Sequence, residues 1–169
     1  PGFAARSTPT IGKNGMIYVG DTVGNLHCLH KTTGLKQWSQ GSGGYTDSAS
    51  AVIGNDGTVY FCAGGTGGSR RLAAHNPSTG AVLWTFTPNA GATIQTPAIS
   101  GGVLYFGAGF STSGKFYAIC VNDGFSSNME ASSWPRIGQN NLNNGLAKLA
   151  TLTTNSISSA ISNYKKNKE

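Results

Sequence analysis

Charge is scarce in this chain. Only 11% of its 169 residues are charged, and just six of them are Asp or Glu. Four of those carboxylates, Asp21, Asp47, Asp56 and Asp123, lie beside Gly, Ser or Thr in loop-like sequence. Asp56 and Asp123 precede glycine, which makes them turn formers before anything catalytic. Cysteine is also sparse: Cys28, Cys62 and Cys120 make an odd count, which excludes a fully paired monomer. Their spacing is not that of a zinc site, and small buried hydrophobes in strands is the expected role. An intermolecular disulfide through Cys62 is the alternative in an oxidising compartment. No run approaches the roughly 18 apolar residues of a membrane-spanning helix. No signal peptide is visible, and the start at Pro1-Gly2 reads as a processed or truncated N-terminus.

The three histidines form no defensible site. His27-Cys28-Leu29-His30 looks like a metal motif, but strand neighbours alternate between faces, so His27 and His30 diverge. No Ser-His-Asp ordering can be built from isolated histidines. The glycine-rich stretch Ala63–Gly68 is followed by neither Lys-Ser nor Lys-Thr and opens no helix. It reads as a strand connector and not as a phosphate cradle. The net charge of +6 argues little for nucleic acid. Half of it comes from Lys148, Lys165, Lys166 and Lys168 against Glu169, and Arg70-Arg71 is the only basic pair in the body. A nucleic-acid reader needs a basic stripe with aromatics on one face.

What the chain has in abundance is glycine, 25 residues, together with a repeat. Thr79-Gly80-Ala81-Val82-Leu83-Trp84 echoes Thr33-Gly34-Leu35-Lys36-Gln37-Trp38. Before each lies an aromatic strand: Met16-Ile17-Tyr18-Val19 in the first unit and Thr58-Val59-Tyr60-Phe61 in the second. A third unit carries Val103-Leu104-Tyr105-Phe106. Tyr18, Tyr60 and Tyr105 are 42 and 45 residues apart, and Gly34, Gly80 and Gly124 are 46 and 44 apart. A period of about 40–45 residues with several short strands per unit is that of a propeller blade. Val, Ile, Tyr and Phe cluster in short runs, and Asn14-Gly15, Asp56-Gly57 and Asp123-Gly124 supply hairpin turns between them. Each blade is predicted to hold an inner strand, an aromatic middle strand, a third strand and an outer strand. Trp38 and Trp84 on the outer strands are predicted to pack between blades. In the third unit the matching position is Asn128, so that blade departs from the pattern.

The stretch Leu72-Ala73-Ala74-His75-Asn76-Pro77-Ser78-Thr79-Gly80-Ala81-Val82-Leu83-Trp84 resembles the pyrroloquinoline-quinone-like (PQQ-like) β-propeller repeat. Ser133-Trp134-Pro135, running on to Gly145, resembles the Trp-Pro segment found at the ends of such propellers. The resemblance implies an all-β partial propeller of about three four-stranded blades. It implies blades with a Trp-Pro closing segment over 1–145, anchored by Trp134, and a C-terminal tail or connector over 146–169. In the tail, Leu146, Ala150, Ile157, Ala160, Ile161 and Tyr164 recur mostly at threes and fours, which predicts a short amphipathic helix.

A whole propeller has roughly four to eight blades. Three blades therefore imply further blades from the same or another chain, as a homo- or hetero-oligomer or within a longer protein. The blade-defining residues are Tyr18, Gly34, Trp38, Tyr60, Gly80, Trp84, Tyr105, Gly124 and Trp134. The expected function is a non-catalytic interaction or structural module of a secreted, periplasmic or cell-surface protein, with no cofactor or metal, no nucleic acid and no membrane span. The alternatives are a fragment of a quinoprotein dehydrogenase and a lectin-type propeller. The dehydrogenases of the resembling family bind pyrroloquinoline quinone and calcium and use an acidic base, and their alcohol dehydrogenases carry a vicinal disulfide. This chain has no adjacent cysteines. A lectin would repeat matching aromatics in every blade, and Asn128 breaks that series.

Overall fold

A computed structural model describes residues 6–41, 49–63, 71–88, 93–109 and 114–121. The described residues form twelve strands in three antiparallel sheets, with no helix among them. The first sheet runs β1 (Thr10–Ile11), β2 (Met16–Gly20), β3 (Asn25–His30), β4 (Lys36–Gly41) in sequence order. The second repeats it with β5 (Val52–Ile53), β6 (Val59–Ala63), β7 (Arg71–His75) and β8 (Val82–Phe86). The third holds β10 (Ala98–Ser100), β11 (Val103–Gly109) and β12 (Lys115–Cys120), and its fourth strand is β9 (Thr93–Ile94), paired to the far end of β11. These are three propeller blades; the first two are simple meanders, and in the third β10, β11 and β12 form the meander while β9 pairs with β11.

The turns follow from residue chemistry. Gly15 and Gly57, at φ of 79° and 90°, close the β1–β2 and β5–β6 hairpins beside Asn14 and Asp56. Asn14 Oδ1 accepts from the Met16 amide, and Asp56 Oδ1 accepts from the Thr58 amide. Side-chain oxygens holding their own backbone two residues on is what makes Asn and Asp turn residues.

Alternation of faces explains the packing. In the second blade Val59, Phe61 and Ala63 face the first blade, where they join Tyr18, Leu26 and Cys28 in one core. Tyr60, Cys62, Leu72 and Ala74 face the other way and join Ile99, Leu104, Phe106 and Ala108 of the third blade in a second core. The middle blade is thus apolar on both sides, so β6 is buried along its whole length. At the inner edge the blades are also tied by hydroxyls. The Thr8 amide donates to Ser50 Oγ at 2.8 Å, and the Ser50 amide donates to Thr96 Oγ1 at 2.9 Å. Thr10 Oγ1 donates to the Ala51 carbonyl at 2.8 Å. Thr8, Ser50 and Thr96 each lie two residues before an inner strand, and the first two each hand a hydrogen bond to the next blade.

The third sheet's fourth described strand is β9, on the same side of β11 as β10; the outer strand expected beyond β12 falls after Val121, outside the described residues. One expectation is corrected. Cys28 and Cys62 are buried, but Cys120 is exposed, because it lies on the outward face of the last described strand. Gly124, Trp134, the Trp-Pro segment and the helix predicted in the tail lie outside the described residues.

Candidate interaction surface

The outer-strand tryptophan shows how one blade is fastened to the next. Tyr18 pairs across the sheet with Cys28, and Cys28 pairs with Trp38. The small residue in the middle lets the two rings meet above it, with centroids 5.9 Å apart. From there Trp38 reaches into the second blade. Its indole stacks on the His75 imidazole at 6.5 Å and 18°, and Nε1–H donates to the Pro77 carbonyl at 3.0 Å. Tyr18 Oη donates to the same carbonyl at 3.3 Å and accepts from Asn14 Nδ2 at 2.9 Å. Gly80 lies directly beneath the ring. A Cβ there would stand 2.6 Å from the indole, and its φ of +74° already favours glycine.

His75 is the platform of this junction. It is fully buried, and its Nδ1 lies 3.1 Å from the Gly80 carbonyl, so Nδ1 carries the proton. Burial holds the imidazole below its ordinary pKa of 6.5, the Gly80 bond opposes that shift, and the Arg71 charge adds to it.

The second and third blades repeat the first half of this arrangement. Tyr60 pairs with Ala74 and Ala74 with Trp84, and the two rings are again 5.9 Å apart. Ile119 takes the place of His75, since it pairs with Leu104 as His75 pairs with Val59. In place of a closed stack there is a cavity of about 530 Å³, walled by Tyr60, Trp84 and Phe86 on one side and Ile119, Cys120 and Val121 on the other. Phe86, Phe106 and Tyr117 fill the adjoining core with edge-on and stacked contacts at 5.4–6.0 Å.

The third blade has the same ladder with its last member missing among the described residues. Tyr105 pairs with Ala118, and nothing described pairs beyond Ala118. Tyr18 and Tyr60 are 1% and 3% exposed, whereas Tyr105 is 36% exposed and Phe116, stacked on it at 6.1 Å, is 73% exposed. With Ala98, Val103 and Cys120 on the same side, these residues form an apolar sheet face that no described blade covers.

The remaining polar groups are occupied in shaping the fold. Asp21 Oδ1 accepts from the amides of Val23 and Asn25, and Oδ2 accepts from Asn25 Nδ2. His27 Nε2 lies 2.9 Å from Oδ2, a buried pair that sequence reading missed. Burial pushes the Asp21 carboxyl up, but the bonds from Asn25 and His27 outweigh it and leave the group below its ordinary value of 3.8. His30 sits apart and holds the Thr32 and Thr33 amides through Nδ1. Burial pushes the Cys28 thiol up to about 11 and the Cys62 thiol higher still. Among the described residues no three His, Cys, Asp or Glu side chains come together in a way that could hold a metal ion.

Of the nine blade-defining residues, the structure brings Tyr18, Trp38 and Gly80 together in one junction and Tyr60 and Trp84 in the next. Gly34 closes its turn at φ 68° with open space around it, and Tyr105 stands on the uncovered face. Sequence reading also missed His75 as the seat of Trp38. The available signal was its position four residues after Arg71, on the same strand face as Phe61's partner Ala73.

The architecture has solved counterparts. The chain superimposes on the crystal structure of BamB from Moraxella catarrhalis with a TM-score of 0.53 at 17% identity, covering 74% of this chain and 35% of that one. It superimposes on the quinohemoprotein alcohol dehydrogenase from Comamonas testosteroni with a TM-score of 0.59 at 18% identity, covering 78% of this chain and 21% of that one. The chain therefore spans about a third and a fifth of these two proteins, and the likeness at such identities is one of fold. No curated protein matches it. A family model described as outer membrane protein assembly factor BamB matches residues 3–158, and with the repeated blades and their tryptophan junction this places the chain in the BamB-type family of PQQ-like β-propeller repeats.

Proposed function

We propose that this chain is a non-catalytic interaction module of an exported protein, a run of propeller blades that binds other protein subunits. The observation that carries the reading is the uncovered face of the third blade. There Tyr105 and Phe116 present to solvent an aromatic surface of the kind that the first two blades bury against a neighbour. Exposed apolar patches of this kind mark association surfaces. The family description, an outer membrane assembly factor, supports both the export and the protein-binding role. On this reading residues 1–145 are the blades with their closing segment, and 146–169 are a tail or connector to the rest of the assembly.

Light scattering across a range of concentrations tests it. The unaltered chain is expected to associate with itself or with added blades, and Phe116→Asp to abolish that association while leaving the β-sheet circular dichroism intact. A stable, soluble monomer at high concentration would sink the proposal.

A second reading, a fragment of a quinoprotein dehydrogenase, draws on the likeness to the Comamonas enzyme. Such an enzyme needs acidic residues for metal and base. The two described carboxylates are engaged elsewhere, Asp21 in its hairpin and Asp56 on Thr58. The described residues therefore do not fit that cofactor and its metal. Adding pyrroloquinoline quinone and calcium and finding dye-linked alcohol oxidation would favour the enzyme over the module.

A further inference from the structure

We propose that the seat of Trp38 on the second blade is an acid-operated latch: protonation of His75 lifts the indole from its seat and frees the outer edge of the first blade, while the inner edges of the two blades stay joined. The proposal is independent of the interaction-module reading. Its basis is where the imidazole lies. His75 is fully buried between the two sheets, with the Trp38 indole stacked on its face at 6.5 Å and 18°. Its Nδ1–H donates to the Gly80 carbonyl at 3.1 Å, so an acid proton enters at Nε2. Trp38 is held on this platform by the stack and by one hydrogen bond, from Nε1–H to the Pro77 carbonyl.

A proton on His75 places a second positive charge beside that of Arg71, four residues back on the same strand. Arg71 is itself turned to the first blade, where its Nη2 donates to the Gly41 carbonyl at the end of β4. From β2 and β3 come the Tyr18 hydroxyl and the Cys28 thiol, which stay neutral below pH 8. β4 brings Trp38 and, at its exposed start, Lys36. β6 and β8 bring Val59 and Val82, the residues His75 pairs with. The β5–β6 turn carries Asp56, whose carboxylate is turned to the Thr58 amide and hydroxyl. The attraction of a cation for an indole face favours a charged stack, but it is smaller than the cost of burying the charge. Burial accordingly holds the imidazole below its ordinary value of 6.5, and Arg71 adds to that shift.

The ring therefore takes up a proton more readily once Trp38 has moved aside and water reaches it. The latch is closed above pH 6.5. Below it, the opening constant rises by up to about tenfold per pH unit until the pH reaches the closed-state value. The inner edge is held by groups that do not titrate in this window: the Thr8–Ser50 and Thr10–Ala51 hydrogen bonds and the packing of Leu26, Ile53 and Phe61. The second junction is a built-in control, since Ile119 stands there in the place of His75 and Trp84 in that of Trp38.

The full chain, uniformly labelled with 15N and 13C, is followed by NMR from about pH 8 to about pH 5. The indole resonances are assigned with Trp38→Phe and Trp84→Phe. The readouts are the protection of the Trp38 indole N–H and of the Thr8 amide against hydrogen exchange, each relative to an unstructured peptide at the same pH. Trp38 is expected to lose protection by up to about tenfold per pH unit below 6.5. The Thr8 amide should stay protected, and the Trp84 resonance should keep its position. His75→Gln should remove the pH dependence at Trp38. Protection of Trp38 that is constant to pH 5, or a pH dependence that survives His75→Gln, overturns the latch. Where His75→Gln does not fold, the unaltered chain decides: the loss at Trp38 must follow the titration of the His75 ring and not that of His27 or His30. Trp38 and Thr8 losing protection together would mean that the blades part as a whole, and the latch falls.

Discussion

The junction between the first two blades and the outward face of the third are built from the same row of residues, yet one lies against a neighbouring blade and the other against no described one. At the junction, Tyr18 and Trp38 meet over Cys28 and lock onto His75, Pro77 and Gly80 of the next blade. On the third blade, Tyr105 pairs with Ala118, over which no described ring lies, and stacks on Phe116. What separates them is the neighbour: a blade's outward residues are core only when another sheet lies against them. The stability of the described fold should therefore be concentrated at the junctions, and the outward face should contribute to association alone.

The sharpest way to break that contrast is Trp38→Ala. It removes a half-buried ring, a stack and a hydrogen bond at once, and should destabilise the chain by about 3 kcal/mol in urea melts. Little change would mean that the blades are held by the inner-strand hydroxyl bonds and not by the tryptophan. Next in size is the glycine pair. Gly80→Ala should cost about 2–4 kcal/mol, because a left-handed backbone position and contact with Trp38 are both violated. Gly34→Ala, with a similar φ and open space, should cost only about 1 kcal/mol. Equal losses would show that the turn, and not the docked ring, makes glycine necessary.

A smaller effect comes from His75. Its pKa is depressed in the fold, so its contribution is fully present above the unfolded value of 6.5 and is lost as pH falls through the folded value. The urea midpoint should decline as the pH is lowered below 6.5, and His75→Gln should flatten that decline. Asp21, also depressed, acts in a separate window, below its ordinary 3.8, where protonation loosens the β2–β3 hairpin. Smallest of all is Phe116→Ala, expected to change stability by no more than about 0.5 kcal/mol, as for other exposed positions.

The blade period, the turn glycines and the inter-blade role of Trp38 were legible because they depend on local chemistry that recurs. Which tyrosine is buried was not. Tyr18, Tyr60 and Tyr105 sit in similar sequence, and the burial of the first two is set by a sheet more than 30 residues away along the chain. Cys120 was misread for the same reason. The Asp21–His27 pair escaped because its six-residue separation has meaning only once a hairpin folds one back on the other. β9 escaped because two residues carry no periodicity, and its partner, the end of β11, is long only in the third blade.

One feature of the first two blades bears on how such repeats tolerate changes in length. In both, the pairing of third and fourth strands slips by one residue just before the tryptophan. Cys28 faces Trp38 while Leu29 faces Lys36, and Ala74 faces Trp84 while His75 faces Val82. The surplus residues, Gln37 and Leu83, bulge outward into solvent. The bulge acts as slack in the chain. Deleting Gln37 or Leu83 would straighten the ladder and leave each tryptophan opposite the same partner, whereas deleting the tryptophan's cross-strand neighbour in β3 or β7 would turn the next side chain to the wrong face. Repeats of this design can gain or lose a residue at that single place and still dock their rings.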